Sequence, residues 1–192
     1  MKIWFTSDQH FWHANVIKYC NRPYSSVEDM NRGLVDNWNS VVSPLDTVYC
    51  LGDFSLSGKS VEMYSNMLNG TKFLVPGNHD PVHPYNKHYK KSIKRNEPNY
   101  WLDFYRKYGW TVLPIIHYID LPEVGRIVLS HIPYSNTDSR FEKYVPIDTG
   151  TWLICGHVHE KWKTKDRCIN VGVDVWNMTP VSANSIIEII KG

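Results

Sequence analysis

Five short apolar runs in this chain each end in a cluster of Asp, Asn, His or Gly residues, and this repetition most constrains the fold. The clusters are Ser7-Asp8-Gln9-His10, Gly52-Asp53, Gly77-Asn78-His79-Asp80, Ser130-His131 and Gly156-His157-Val158-His159. Apolar runs of this length, alternating with helical patterns, predict the strands of an α/β domain. Ligand sites in such sheets collect in the loops beyond the carboxyl ends of the strands. We therefore expect the five clusters to meet at one sheet edge.

The hydrophobic pattern predicts eight strands and three helices. Strands are predicted at residues 2–6, 47–51, 72–75, 115–119, 126–130, 152–155, 168–171 and 185–190. Helices are predicted at residues 27–41, at 59–68, and from Pro98 to about Tyr108. The first helix is the best marked, because Ser25 and Glu28 match a capping box and apolar residues follow at helical spacing.

The length of 192 residues fits a single domain over 1–192, without repeats or linker-like stretches. One segment stands out by charge, because residues 83–107 hold seven basic and two acidic side chains, while the whole chain has a net charge of only +2. We interpret residues 83–109 as a basic helical insertion or cap within the domain. Such a segment can concentrate an anionic substrate, or it can be an ordinary solvated face.

Composition and cysteine spacing indicate a cytoplasmic protein with no membrane association. Hydrophobic residues make up 42% and charged residues 21%, as in soluble globular domains. The first five residues have the pattern of a strand rather than of a signal peptide, and no apolar run has the length of a membrane span. The four cysteines show no Cys-x-x-Cys spacing, so we expect reduced thiols.

The five clusters bring together the side chains that bind divalent cations. Imidazole nitrogen combined with carboxylate and amide oxygen favours Mn, Fe or Zn over Ca or Mg. A carboxylate can bridge two cations about 3.5–4 Å apart, and a bridging hydroxide between them can attack a phosphate ester. Each cluster alone is also typical of an ordinary turn. The five clusters together predict a two-metal centre.

The Gly156-His157-Val158-His159 segment presents two imidazoles in a short space. In extended chain the two side chains would point to opposite sides of the strand. Gly156 frees the backbone just past the strand end, so both rings can turn toward a common centre. The pair can then serve one metal or two adjacent metals.

The five clusters together resemble the motifs of calcineurin-like metallophosphoesterases. That family has Asp-x-His, Gly-Asp, Gly-Asn-His-Asp/Glu, a later His and Gly-His-x-His, and the matching residues here span 8–159. The resemblance is strong to small single-domain bacterial and phage members, whose first motif continues as the stretch from His10 to Asn15 does. It implies an α/β fold of two mixed β-sheets packed face to face and flanked by helices, a four-layer α/β/β/α sandwich with metals at one sheet edge.

The resemblance also implies a role for each site residue. Two ligand sets share Asp53: Asp8, His10, Asp53 and His159 for the first metal, and Asp53, Asn78, His131 and His157 for the second. His79 would lie near the metals without binding them, and would protonate the leaving oxygen or stabilise its charge. The cofactors would be two divalent ions, with Mn favoured and Fe, Zn, Ni or Mg as alternatives.

The segment after Gly52-Asp53 departs from the protein serine/threonine phosphatases. Those enzymes have an Asp that orients the catalytic His where this chain has Leu56, followed by an Arg for phosphate. The departure argues against a protein phosphatase and leaves open what orients His79, for which a backbone carbonyl is a candidate. We expect a phosphodiesterase acting on nucleotide or nucleic-acid-like substrates, with a small-molecule phosphomonoesterase as the alternative. A non-catalytic scaffold is less favoured, because every ligand position is filled.

Several residues beside the motifs are candidates for substrate contact. They are His13, Asn15, Phe54 and Tyr134. The alternative is that the first two begin a helix and that the aromatic rings only pack. Farther along, Asp174 is a candidate partner for the second ring nitrogen of a ligand imidazole. The expected partner is a small phosphate ester or nucleotide, and nucleic acid is a further candidate.

Overall fold

The structure is a computed structural model that describes residues 1–192. Its helices are α1 (Ala14–Tyr19), α2 (Val27–Val41), α3 (Gly58–Ser65), α4 (Lys87–Lys94), α5 (Tyr100–Lys107) and α6 (Ala183–Lys191). Its strands are β1 (Ile3–Thr6), β2 (Thr47–Cys50), β3 (Thr71–Leu74), β4 (Trp110–Val112), β5 (Ile116–Leu121), β6 (Gly125–Ser130), β7 (Leu153–Cys155), β8 (Thr164–Lys165), β9 (Cys168–Asn170) and β10 (Val181–Ser182). None of the helices combines the length and the apolar character that crossing a bilayer requires.

The first sheet has the strand order β10-β1-β2-β3-β4. Strands β1 to β4 run parallel, and β10 pairs with β1 in the antiparallel sense. The register places Thr6 opposite Cys50, and Cys50 opposite Leu74. The loops that follow β1, β2 and β3 therefore leave the sheet side by side at one edge, and they carry the first three polar clusters.

The second sheet has the strand order β5-β6-β7-β9-β8. Strands β6, β7 and β9 run parallel, whereas β5 and β8 pair in the antiparallel sense. The loops after β6, β7 and β9 therefore also leave together. A bridge between Ser7 and Gly172 joins the edges of the two sheets, so the clusters of both sheets face each other.

The interior between the two sheets is a cluster of buried apolar side chains from both of them. From the first sheet and the residues just after its strands come Phe5, Leu51, Val75 and Val181. From the second sheet and the residues just after it come Leu121, Ile127, Leu129, Ile154, Ile169 and Val171. These contacts confirm the predicted fold of two mixed sheets packed face to face.

Helices α2, α3 and α5 cover the outer face of the first sheet. Helix α2 contributes Met30, Leu34 and Trp38 to a core cluster that also holds Val48 and Leu74 of the sheet. Ser26 is the N-cap of this helix, and its hydroxyl accepts a hydrogen bond from the Asp29 amide at 3.1 Å. The capping pair is therefore Ser26 and Asp29, one residue later than the predicted pair of Ser25 and Glu28.

The prediction of a strand at 185–190 is wrong, because these residues belong to helix α6. The run of isoleucines has the composition of a strand, but Ile186 and Ile187 face the core on one side of a helix. The Ser182 hydroxyl caps the helix by accepting from the Ser185 amide at 3.1 Å. Burial against the sheets outweighs the low helix propensity of β-branched residues.

Several short elements were not predicted from the sequence. They are α4, β4, β8 and β10. Helix α1 matches the alternative given for His13 and Asn15, since His13 is its N-cap and Asn15 lies within it. Helices α4 and α5 lie between β3 and β4 in the chain and occupy the basic segment at 83–109. The remaining strands lie within about two residues of their predicted positions.

Candidate metal centre

The polar clusters meet at the shared edge of the two sheets. Asp53 lies between two imidazoles, with its Oδ2 atom 3.6 Å from Nε2 of His10 and 3.4 Å from Nε2 of His131. Asp8 lies beside it, with Oδ1 3.9 Å from Nε2 of His10 and 3.8 Å from Nε2 of His159. Two groups of potential ligands overlap at Asp8: one adds His10 and His159, and the other adds Asp53 and His131.

The remaining two predicted ligands lie next to these groups. The His157 ring centroid is 5.2 Å from that of His131, and the His157 amide donates to Asp8 Oδ2 at 3.0 Å. Asn78 follows Gly77, which packs directly against the Asp53 carboxylate. The structure therefore brings together the residues that the sequence predicts as ligands.

The donor set has the properties that a divalent cation requires. Both ring nitrogens of His10, Nε2 of His131 and Oδ1 of Asn78 are buried and have no hydrogen-bond partner within the chain. A buried polar atom without a partner is costly, so a set of such atoms around two carboxylates needs a ligand. Mixed imidazole, carboxylate and amide donors suit Mn, Fe or Zn. The residues therefore fit the cations that the resemblance implies.

Protonation of the site shows how strongly it attracts positive charge. Burial disfavours a charged His131, yet the adjacent Asp53 carboxylate raises the pKa of this histidine to about 9. Burial likewise opposes a charged His159, but Asp8 and Asp174 raise its pKa to about 11. Burial would raise the pKa of Asp53, and the neighbouring His131 and His10 hold it well below its usual range. A bound cation can take the place of these protons.

The backbone around the site is strained at the residues that carry the candidate ligands. Five of them have a positive φ angle: Asp8 (61°), His10 (53°), Asp53 (51°), His157 (72°) and His159 (52°). Non-glycine residues adopt this region rarely, and each instance costs on the order of 1–3 kcal/mol. The rest of the fold must hold these side chains in place.

Two glycines allow the loops to approach the carboxylates closely. A Cβ atom on Gly156 would lie 2.0 Å from Ser7 Oγ and 2.5 Å from Asp8 Oδ2. A Cβ atom on Gly77 would lie 2.3 Å from Asp53 Oδ1. Both positions therefore exclude any side chain, which explains the glycines of two of the five clusters.

A buried Arg22–Asp174 pair supports the first group of candidate ligands. Arg22 donates to both Asp174 oxygens, at 2.7 and 3.0 Å, and to the carbonyl oxygens of Asp8 and Gln9, at 2.6 and 2.8 Å. Asp174 in turn lies 2.9 Å from Nδ1 of His159. This contact agrees with the predicted role of Asp174, whereas Arg22 was missed, because a lone arginine after a short helix carries no local signal.

Asp80, the last residue of the Gly-Asn-His-Asp cluster, fixes the loops around Asp53. Its fully buried carboxylate accepts hydrogen bonds from the amides of Asp53 and Gly77, both at 2.8 Å, and from the Phe54 amide at 3.1 Å. The Tyr105 hydroxyl on α5 also contacts it at 3.3 Å. The motif includes Asp80, but only the structure shows that Asp80 binds the backbone amides around Asp53.

His79 lies at the exposed rim of the site. Its ring centroid is 5.4 Å from that of His10, and its amide donates to Asp53 Oδ1 at 2.8 Å. The side-chain amide of Asn86 donates to the His79 carbonyl at 2.8 Å. Backbone contacts on both sides thus fix the position of His79.

The four candidate substrate contacts occupy different environments. His13 is near the site, because its ring centroid lies 5.4 Å from that of His10. Its Nδ1 atom is buried and has no hydrogen-bond partner. Asn15 is exposed on α1. Phe54 is fully buried between Phe11 and Trp110, so its ring packs rather than facing substrate.

Tyr134 lies away from the metal edge. Its hydroxyl donates to the Thr151 carbonyl at 3.1 Å, and Thr151 precedes the start of β7. The candidate ligands His157 and His159 follow the other end of the same strand. The aromatic contacts expected from Phe54 and Tyr134 are therefore absent from the site.

Asn170 supports the Gly-His-x-His loop from the neighbouring strand β9. Its side-chain amide donates to the carbonyls of His159 and Trp162, both at 2.8 Å, and its Oδ1 accepts from the Gly172 amide at 2.8 Å. These bonds fix the turn that carries His159.

Comparisons with known proteins agree with the geometry of the site. The family model Metallophos, described as calcineurin-like phosphoesterase, matches residues 1–165. An uncharacterized protein of Methanocaldococcus jannaschii is 34% identical over 200 residues, covering 99% of this chain and 92% of that protein. The Gene 66 protein of Mycobacterium phage D29 is 31% identical over 188 residues, covering 91% of this chain and 89% of that protein.

A solved structure shares the fold over nearly the whole length. The crystal structure of a protein of unknown function from Aquifex aeolicus aligns with a TM-score of 0.67 at 25% identity and covers 98% of each chain. The family model spans most of the chain and includes every candidate metal ligand. This chain therefore belongs to the calcineurin-like phosphoesterase family of metal-dependent phosphoester hydrolases.

Proposed function

We propose that the chain is a dinuclear phosphodiesterase, with Mn²⁺ as the favoured ion at both positions. The proposed ligands of the first ion are Asp8, His10, Asp53 and His159, and those of the second are Asp53, Asn78, His131 and His157. The observation that carries the proposal is the position of Asp53 Oδ2, which lies 3.6 Å from one histidine nitrogen and 3.4 Å from the other. A carboxylate oxygen between two imidazole Nε2 atoms that have no hydrogen-bond partner suits a bridging ligand.

In the proposed reaction, different residues of the chain have different roles. When bound, two divalent cations supply an activated water and neutralise the phosphate oxygens. The negative charges of Asp53 and Asp8 attract cations to the site. Asp174 orients His159 by accepting a hydrogen bond from the Nδ1 atom of that histidine. His79 stands at the rim, where its imidazole can donate a proton to the leaving oxygen.

The surroundings of His79 support a diester over a monoester. Leu56 lies in the pocket beside His79, where the protein phosphatases have an orienting Asp, and the buried Arg22 is occupied with Asp174 and two carbonyl groups. The site therefore lacks a free guanidinium for the second charge of a phosphate monoester. Nucleotide or nucleic-acid-like diesters are the favoured substrates, and small phosphomonoesters are the alternative.

Turnover of two chromogenic substrates tests the proposal. With Mn²⁺ present, bis-p-nitrophenyl phosphate should be cleaved with a higher kcat/KM than p-nitrophenyl phosphate, and a preference for the monoester would contradict the diester assignment. The His79→Ala variant should lose roughly 100- to 10,000-fold in kcat, as expected for a general acid, with its metal content unchanged. Unchanged turnover in this variant would refute the role given to His79.

A further inference from the structure

An open pocket of about 550 Å³ lies directly beside His79, and most of its lining residues have no role in the proposed metal centre. Asn78 and His79 form one side of the pocket. The start of α4 forms another side with Lys87, His88 and Lys90. No Asp or Glu side chain lines this pocket.

Asn86 connects the pocket wall to the candidate catalytic residue. Its side-chain nitrogen donates to the His79 carbonyl at 2.8 Å, and its side-chain oxygen accepts from the His88 amide at 2.9 Å. The same residue is the N-cap of α4. The backbone at the start of α4, which carries the two lysines, is therefore tied to the His79 backbone.

The two lysines have free positive charge. Lys87 and Lys90 are exposed, and the ion pairs of the chain involve other residues. The Lys90 ammonium lies 4.9 Å from the centroid of the Tyr85 ring, which is part of the pocket wall. Two cations without acidic partners, on a concave surface free of carboxylates, attract an anion.

The position of the pocket indicates which part of a substrate it can receive. The ring of His79 approaches His10 of the metal centre on one side and lines the pocket as well. In the proposed reaction the bond between phosphorus and the leaving oxygen breaks, and the oxygen of a water molecule forms the new bond to phosphorus. The water releases one proton to solvent, His79 gives its proton to the leaving oxygen, and solvent then returns a proton to His79. The group attached to that oxygen must therefore extend past His79 toward the pocket.

We infer that this pocket binds the leaving group of the substrate and favours a leaving alcohol that carries its own negative charge, such as a phosphate or a carboxylate. The inference rests on the proposed function, because it uses His79 as the proton donor. It narrows the substrate class to phosphodiesters with an anionic substituent on the leaving side.

A pair of synthetic diesters tests the inference by kinetics. Methyl 4-nitrophenyl phosphate has a neutral leaving group, and methyl 3-carboxy-4-nitrophenyl phosphate has a charged one. The ratio of kcat/KM for the charged over the neutral substrate should fall roughly three- to tenfold in the Lys87→Ala/Lys90→Ala variant, as expected for exposed charge pairs. Comparing ratios between enzymes cancels the different intrinsic reactivity of the two phenols.

Two further variants serve as controls. Lys94→Ala removes a lysine from the far end of α4, outside the pocket, and should leave the ratio unchanged. Lys87→Arg/Lys90→Arg keeps both charges and should retain most of the wild-type ratio. An unchanged ratio in the double alanine variant would overturn the inference, as would an equal fall in Lys94→Ala.

Binding of non-hydrolysable ligands separates this inference from the proposed function. Benzylphosphonate and 4-carboxybenzylphosphonate can be titrated calorimetrically into the Mn²⁺-loaded protein. The carboxylated ligand should bind roughly three- to tenfold more tightly to the wild type, and the difference should disappear in the double alanine variant. This result without any diester turnover would refute the proposed activity and the leaving-group role, and it would keep only the binding of an anion by the pocket. Equal binding of the two ligands by the wild type would refute the pocket assignment, even if diesters are hydrolysed.

Discussion

Asp174 accepts a hydrogen bond from Nδ1 of His159 at 2.9 Å, and this contact leaves Nε2 of His159 facing Asp8. The partner of a ligand imidazole fixes its ring orientation and its tautomer. Asp174 follows strand β9, whereas His159 follows β7, so the contact also joins two loops of the second sheet. The same carboxylate binds Arg22, which holds the loop of Asp8.

Asp174→Asn should therefore weaken the first metal position. An amide is a weaker acceptor than a carboxylate, so His159 loses orientation and basicity, and affinity for the first ion should fall roughly 10- to 100-fold. Titration of Mn²⁺ by calorimetry measures the change. Asp166→Asn, at an exposed position between β8 and β9, makes the same chemical change outside the site and should bind Mn²⁺ as the wild type does. Equal affinities of both variants would contradict the role of Asp174.

Arg22→Met should reduce the stability of the metal-free protein. Arg22 is buried, and its removal leaves the buried Asp174 carboxylate with His159 as its one remaining donor, and the carbonyls of Asp8 and Gln9 without the Arg22 donor. Breaking a buried pair in this way costs about 3–5 kcal/mol. Urea unfolding in the presence of a chelator measures the loss. Arg32→Met breaks the exposed pair with Asp29 and should cost about 0–1 kcal/mol; a similar loss in both variants would contradict the account.

Gly156→Ala should abolish binding of both metals. The added Cβ would meet Ser7 Oγ and Asp8 Oδ2 at 2.0 and 2.5 Å, so the Gly-His-x-His loop must move away from β1. Metal content after dialysis against Mn²⁺ measures the effect. Gly125→Ala is a suitable comparison, because its φ of 75° adds backbone strain, but no atom lies within 4 Å of the new Cβ. That variant should lose some stability and keep its metals, and retention of both ions by Gly156→Ala would contradict the packing argument.

Replacing each of the two histidines of the Gly-His-x-His cluster by alanine should affect a different ion. His159 Nε2 faces Asp8 together with His10, whereas the His157 ring lies against His131. His159→Ala should therefore weaken mainly the first ion, and His157→Ala mainly the second. Stepwise Mn²⁺ titrations of both variants, compared with the wild type, distinguish the two binding events. Loss of the same step in both variants would show that the histidines serve one ion.

Much of the candidate metal centre could be predicted, because its residues lie in short motifs directly after strands. Parallel strands place consecutive loops at one edge, so the Asp8 and Asp53 clusters had to meet once β1 and β2 paired. The sequence predicts that the glycine of the Gly-His-x-His cluster gives the backbone freedom to turn. The structure shows a second reason, which is the close approach of Gly156 to Ser7 and Asp8.

The supporting residues were harder to predict, because their partners are distant in the chain. Arg22 and Asp174 are 152 positions apart, and no local pattern connects them. The error at helix α6 has a different cause, since a short run rich in isoleucine fits a strand and a buried helix equally well. The aromatic residues next to the motifs were ambiguous in the same way. Phe54 follows Asp53 in sequence, but its side chain points into the core.

The most direct test of the account is the number and coupling of Mn²⁺ ions bound by the wild-type chain. Equilibrium dialysis followed by elemental analysis gives the stoichiometry, and electron paramagnetic resonance at low temperature shows whether the ions interact. We predict two Mn²⁺ ions per chain with a spin-coupled spectrum, because Asp53 lies between His10 and His131 and can bridge both ions. A single ion per chain, or two ions without magnetic coupling, would contradict the dinuclear centre.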